Sequence, residues 1–289
     1  MIEDRWTQLS QNTALQTEIQ KSGKPKPPKT KPVCVLDLNG VLTEKDITPK
    51  LNALYKEKIK LMFDPLTRKS ETEVNQLLEQ KGLHVQSKSN APLAQQLRDF
   101  AADTCFEPAK GTAARQIAYD LAESAFDSKE ITPTVYPDAL TFCTKAAKNR
   151  RLAVLSRGTK SLLSKMVSSS TLSPFIAQTE STIPFGNAKT AETFIHYYLH
   201  VRTIGEQIAE ILEDEFDAVS ELVLASAWLS KQFPTRKPAI RIIWVDRDNE
   251  LAQRTAGYNQ LNQWISHQGF LAHEMLTRIE TLEQLDLDE

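Results

Sequence analysis

Along the chain, stretches that are apolar at consecutive positions alternate with stretches in which apolar residues return every three or four positions. V-C-V-L-D (33–37), R-L-A-V-L-S (151–156) and A-I-R-I-I-W-V-D (239–246) are of the first kind. They are short, rich in β-branched residues and free of regular polar alternation, which predicts strands covered on both faces of a parallel sheet. A further short strand is expected within S-P-F-I-A-Q (173–178), and another near Gly269. Helical spacing marks 138–149, 159–168, 190–201 and 249–256, with Gly257 near the end of the last. Residues 204–233 predict one or two long helices. In that segment the acidic run E-I-L-E-D-E-F-D (210–217) is expected as a solvated helix face, and Trp228 and Leu229 as core.

Strands alternating with helices imply a doubly wound, Rossmann-like parallel α/β core. Between the first strand and the rest, residues 47–127 read as helical, with breaks near Pro65, Gly82, Pro92 and Pro108–Gly111. Apolar sets such as Leu51, Leu54, Tyr55 and Ile59, or Ile117, Leu121 and Phe126, recur there at helical spacing. The first residues carry a weaker amphipathic pattern (Ile2, Trp6, Leu9, Leu15, Ile19), which predicts a short helix within 2–20. It is followed by K-S-G-K-P-K-P-P-K-T-K-P (21–32), with five lysines and four prolines. Prolines remove backbone donors and the lysines repel, so this reads as an extended linker. The expected organisation is an N-terminal helix and linker over 1–32, an α/β core formed by 33–43 and 132–289, and an inserted helical domain over 44–131.

Composition narrows the picture a little. In 289 residues, 40% are hydrophobic and 25% charged, enough to bury a sizeable core. The net charge of −2 calls for neither nucleic acid nor a membrane surface as a partner. No apolar run approaches the ~18 residues of a membrane helix. Cys34, Cys105 and Cys143 are widely spaced and form no C-x-x-C pair, as expected of reduced thiols in a cytoplasmic protein. His196 and His200 stand four apart, but H-Y-Y-L-H lacks the glutamate of a zinc-protease helix and reads as an ordinary helix face.

In open α/β sheets, ligands bind beyond the carboxyl ends of the strands. Asp37, Ser156 and Asp246 each terminate a predicted strand, and Lys189 precedes a helix between the second and third of them. Any one of these has an ordinary explanation as a loop, turn or helix-start residue; Asp248 is the better N-cap candidate for the helix near Asn249. Taken together they make chemical sense. Two carboxylates can hold a hard divalent cation. A lysine and a serine hydroxyl can stabilise a phosphoryl group, and a carboxylate can act as nucleophile toward it.

Four segments carry a resemblance. D-L-N-G-V-L-T is similar to the D-x-D-G-x-x-T signature of the haloacid dehalogenase-like hydrolase superfamily. V-L-S-R-G resembles its second motif, G-N-A-K-T-A-E-T-F its third, and W-V-D-R-D-N-E-L-A-Q-R-T-A-G its fourth. Within the superfamily, V-Y-P-D-A-L (135–140) and L-A-V-L-S-R-G-T look most like the enolase-phosphatase branch. The helical insert resembles the cap of the first cap class. The resemblance implies a Mg²⁺-dependent phosphatase or phosphotransferase acting on a small phosphorylated substrate, with a phosphoprotein as the other substrate it allows. It implies that Asp37 is the nucleophile and that Ser156, Arg157 and Gly158 surround the phosphoryl group. Lys189 would neutralise charge, and Asp37, the main-chain carbonyl of Asn39 and Asp246 would hold the metal. Asp248 would be an outlying acid.

Position 39 departs from the pattern, because most phosphatases of the superfamily carry an acid there. An amide has no titratable proton near neutral pH and can neither protonate a leaving group nor activate water. Three readings stay open: a slow or specialised phosphotransferase, a phosphoester-binding protein that has lost turnover, or an Asp→Asn change made to trap a complex. General acid–base catalysis contributes roughly 10²–10⁴-fold. Asn39→Asp is therefore expected to raise p-nitrophenyl phosphate hydrolysis by at least about tenfold, a cautious fraction of that range. An unchanged or lower rate would remove position 39 from the chemistry.

Overall fold

The computed structural model describes residues 2–22, 31–45, 132–157, 160–185, 189–233 and 239–285. The helical pattern expected over 47–127, the bulk of the insert at 44–131, Cys105 and Gly158 lie outside the described residues. The chain divides into two compact units, one of residues 1–44, 135–157 and 171–289, the other of 45–134 and 158–170.

In the first unit, β1 (Val33–Leu36), β2 (Arg151–Ser156), β3 (Ile176–Ser181), β4 (Ile208–Glu213), β5 (Arg241–Val245) and β6 (Leu276–Ile279) form one sheet. The order is β3-β2-β1-β4-β5-β6, and every neighbouring pair is parallel. The helices are α1 (Ile2–Ser10), α2 (Thr13–Ser22), α3 (Pro137–Ala146), α5 (Ala191–Thr203), α6 (Phe216–Gln232), α7 (Leu251–His267) and the short α8 (Ala272–Met275). Helix α4 (Lys160–Ser168) belongs to the second unit.

Strands β1, β2 and β5 are covered on both sides, as their runs of consecutive apolar residues require. Val33 and Val35 of β1, Ala153 and Leu155 of β2, Ile211 of β4, and Ile242 and Trp244 of β5 join a core cluster with α1, α2, α5, α6 and α7. Cys34, between the two valines, turns to the other face, where Cys143 of α3 is its neighbour. Burial holds the Cys143 thiol up at about 12 and raises the Cys34 thiol as well, so both stay protonated near neutral pH. The chain changes direction across the sheet between β1 and β4, which makes their carboxyl ends the topological switch point.

Three sequence expectations are corrected. Residues 204–233 are not purely helical: I-A-E-I-L-E forms β4, and helix α6 begins only at Phe216. The acidic run is accordingly not a solvated face, since Glu210, Glu213 and Asp214 are buried. Alanine, leucine and glutamate favour helix locally, but pairing with β1 and β5 overrides propensity here. Helix α7 does not stop near Gly257 but runs through to His267. The missing side chain there admits the Phe216 ring, whose Cε1 would lie 3.2 Å from an added Cβ. The strand expected near Gly269 is β6, seven residues further on. Trp228 and Leu229 are core, as expected. No helix among the described residues is long and apolar enough to cross a membrane.

The N-terminal segment forms two helices that pack on the sheet's helical layer. Leu9 is 0% exposed and Leu15 1%. Trp6 meets Trp264 of α7 edge-on at 5.3 Å, and the Lys231 ammonium lies 4.7 Å above the Trp6 ring. Arg5 donates to Glu221 through Nε (3.0 Å) and Nη2 (2.7 Å) and to Glu192 at 3.0 Å. Glu221 Oε2 also accepts the Ala191 amide at the start of α5 (2.8 Å). Leu9→Ala is expected to cost about 2–5 kcal/mol in urea denaturation, the range for emptying a buried leucine site. A loss below about 0.5 kcal/mol, typical of surface changes, would mean that α1 is not part of the core.

Candidate active site

The site is built by strand ends. The extended backbone of β1 stops at Leu36, and the Asp37 amide still donates to Leu212 O of β4 (3.0 Å). That bond fixes Asp37 beside the end of β4, where Glu213 and Asp214 follow. Lys189 arrives from the other direction, just before Thr190, which caps α5 by accepting the Thr193 amide (3.4 Å). Its ammonium lies 2.9 Å from Asp37 Oδ2 and donates to Glu213 at 2.8 Å (Oε1), with Oε2 at 2.7 Å. The three side chains are only 3–6% exposed.

Charge balance explains this arrangement. Burial disfavours the Lys189 ammonium, but Asp37, Glu213, Glu215 and Asp214 outweigh it and hold its pKa above the ordinary lysine value. Glu213 is pushed well above the usual carboxylate range by burial, with Asp37 and Asp214 adding to the shift and Lys189 opposing it. Glu213 Oε1 also accepts the amides of Asp214 (3.1 Å) and Glu215 (3.2 Å). Asp37 Oδ1, by contrast, is buried with no hydrogen-bond partner among the described residues.

Asp37, Glu213 and Asp214 offer oxygens within 4.8 Å of one another. One buried cation faces three buried acids. The all-oxygen donor set and the orphaned Asp37 oxygen fit a hard divalent ion such as Mg²⁺.

The other expected site residues divide. Ser156 is buried at the end of β2, and its carbonyl accepts the Thr182 amide (3.2 Å). Arg157 reaches across the end of β1 to pair with Glu215, just beyond β4. Asn39 is half-buried in the turn after β1, its Oδ1 accepting the Thr43 hydroxyl at 3.3 Å. Asp246 is buried at the end of β5, but both of its oxygens are engaged elsewhere. Oδ1 accepts the Glu250 amide (2.6 Å), while Oδ2 accepts the Leu251 amide (3.2 Å) and Arg278 Nε (2.8 Å). It therefore caps α7, the role expected of Asp248; the N-cap position itself is Glu250. His196 and His200 lie on α5, the first paired with Glu18 (2.7 Å) and the second against Phe185.

Sequence reasoning missed Glu213 and Asp214, because their strand read as helix. The signal was present in I-A-E-I-L-E, a short apolar-rich run between Gly205 and an acidic turn. It also missed Thr182, whose buried hydroxyl lacks a partner among the described residues beside the end of β2.

No protein-family model matches the chain, and no curated protein does. Solved structures similar to it include the Unknown transcript 4 protein of Saccharomyces cerevisiae, at 15% identity over 89% of this chain and 100% of that one, TM-score 0.46. A 2-haloacid dehalogenase from Pseudomonas syringae pv. Tomato is 13% identical over 76% and 88%, TM-score 0.46. CbbY from Rhodobacter sphaeroides, solved with xylulose-(1,5)bisphosphate, is 14% identical over 74% and 86%, TM-score 0.43. The likeness is one of fold.

Lys189→Met leaves its acids uncompensated and is expected to cost about 3–5 kcal/mol at pH 8. A carboxyl whose folded-state pKa is raised favours the fold at low pH and loses that contribution as pH rises through the raised value. Glu213 is such a group, and more so without the lysine, so the deficit should shrink between pH 8 and pH 5. Denaturation midpoints at both pH values check this; a deficit that is absent, or that grows on acidification, contradicts the charge balance described.

Proposed function

We propose that this chain is a Mg²⁺-dependent phosphoryl-transfer protein of the haloacid dehalogenase-like type, acting on a small phosphate monoester in a cytoplasmic setting. The observation that carries the reading is the Lys189–Asp37 pair, buried beside two further carboxylates at the switch point of a parallel sheet. Asp37 is the nucleophile: one carboxylate oxygen attacks phosphorus, the alkoxide leaves, and an aspartyl phosphate forms. Lys189 lowers the repulsion between that carboxylate and the incoming phosphoryl oxygens. Ser156, with Arg157 next to it in the chain, binds those oxygens.

The metal would be held by Asp37, the main-chain carbonyl of Asn39 and Asp214. Asp214 takes the place that the sequence motif suggested for Asp246, because Asp246 is committed to Arg278 and the start of α7. When bound, the ion would supply neutralisation of negative charge on the phosphoryl oxygens. The segment 44–131, nearly all of it outside the described residues, is in this proposal the cap domain that the sequence motifs imply.

Asn39 favours a second reading, a phosphoester-binding protein with little turnover, since its amide can neither protonate the leaving oxygen nor activate water. A panel of phosphate monoesters with and without Mg²⁺ separates the two. Under the enzyme reading, Mg²⁺-dependent release of phosphate disappears in Asp37→Ala. Asp214→Asn raises the Mg²⁺ concentration needed by at least about tenfold, in line with losses at metal sites. Asp246→Asn lowers Tm and leaves that requirement unchanged. Ligand-induced stabilisation without turnover, about 2.7 kcal/mol at 100 times Kd, identifies the binder. Neither activity nor stabilisation would remove both.

A further inference from the structure

The turn that follows Asp37 is held from outside by an arginine that no motif singled out. We propose that Arg247 is a positioning residue: it locks the 38–43 turn so that the Asn39 carbonyl and the Asp37 carboxylate keep a fixed relation. The inference rests on the phosphoryl-transfer reading above for its functional meaning, but its geometry stands by itself.

Arg247 is the second residue beyond β5, next to Asp246. Its Nε donates to Gly40 O at 3.1 Å and its Nη2 to Val41 O at 3.0 Å. The same guanidinium makes a fork with Asp138 of α3, at 2.8 Å to Oδ2 and 3.0 Å to Oδ1. Asp138 Oδ2 is held in turn by the Leu282 amide (2.9 Å). The guanidinium carbon lies 4.0 Å from the Tyr136 ring centroid, and the Tyr136 amide donates to Leu42 O (3.0 Å). Arg247 and Asp138 are only 13% and 11% exposed. A planar five-donor fork is suited to this work, since it reaches two carbonyls and a carboxylate at once.

The turn itself needs such help. Gly40 has φ +84, in the left-handed region. Its amide donates to Thr43 O at 2.7 Å, while the Thr43 hydroxyl and amide both bond to Leu38 O (3.0 and 2.9 Å). The 39–40 peptide is trans, so the Asn39 carbonyl points opposite to the Gly40 N–H and away from Thr43. Its direction is therefore set by a turn whose next two carbonyls are fixed by Arg247. A glycine-containing turn without that grip would sample other peptide orientations, and the carbonyl would lose its aim.

The test compares Arg247→Gln and Arg247→Lys with the parent, using the full chain. Backbone amide exchange is read at Gly40 and Thr43. Mn²⁺ binding is read by electron paramagnetic resonance, with Mg²⁺ as competitor. In Arg247→Gln both amides are expected to exchange at least about tenfold faster while those of β2 are unchanged. Mn²⁺ should bind about 10–100-fold more weakly, the usual range for residues that orient metal ligands. Arg247→Lys, which keeps the charge but not the fork, should fall between. Unchanged exchange at Gly40 and Thr43 overturns the proposal whatever the metal does. Faster exchange with unaltered Mn²⁺ affinity overturns it too, reducing Arg247 to a stabilising contact. A parent chain that binds neither ion counts against the phosphoryl-transfer reading and leaves the exchange result to decide the role of Arg247.

Discussion

The carboxyl edge of the sheet depends on one ammonium group held among carboxylates away from water. Lys189 touches Asp37 and Glu213, and neither acid is more than 5% exposed at its side chain. Burying charge is costly unless the partners are close and hydrogen-bonded. Here closeness follows from topology: β1 and β4 are neighbours, so the acids that end them are neighbours as well. The same adjacency accumulates more negative charge than the lysine neutralises. That surplus is the physical opening for a cation, and it gives the edge a chemical character that its apolar strands lack.

The fold was largely legible from the chain because burial on both faces writes itself as consecutive apolar residues. V-C-V-L, R-L-A-V-L-S and R-I-I-W-V are strands for that reason. Strand β4 was illegible for the opposite reason. Two of its six residues are glutamates, and a glutamate in a central strand is intelligible only once its partner is known: Arg150 for Glu210, Lys189 for Glu213. Those partners stand 60 and 24 residues away in the chain, beyond the reach of any local pattern. With β4 read as helix, the second carboxylate of the sequence motifs was Asp246, at the end of β5 rather than of the strand beside β1. Asp37 and Lys189 each stand in a short motif; Glu213 and Asp214 lie beside them through tertiary pairing alone.

The tip of β5 illustrates how two adjacent residues can serve different masters. Asp246 answers the free amides at the start of α7 and the Arg278 guanidinium. Arg247 answers the carbonyls of the turn after β1 and the Asp138 carboxylate. Opposite charges in sequence thus brace elements on either side of the strand. The sequence motif reads this acidic strand end as a metal position, and the structure gives its carboxylate a helix-capping role. The distinction lies in whether the carboxylate oxygens are already used.

The N-terminal helices α1 and α2 carry a consequence for biogenesis. Leu9, Leu15 and Arg5 precede their partners on α5, α6 and α7 by more than 170 residues. At about 5–20 residues per second, synthesis separates these side chains from those partners by roughly ten seconds or more. A chaperone that receives nascent apolar segments would find a client site here. Docking of α1 and α2 on those helices would then follow the synthesis of α5, α6 and α7.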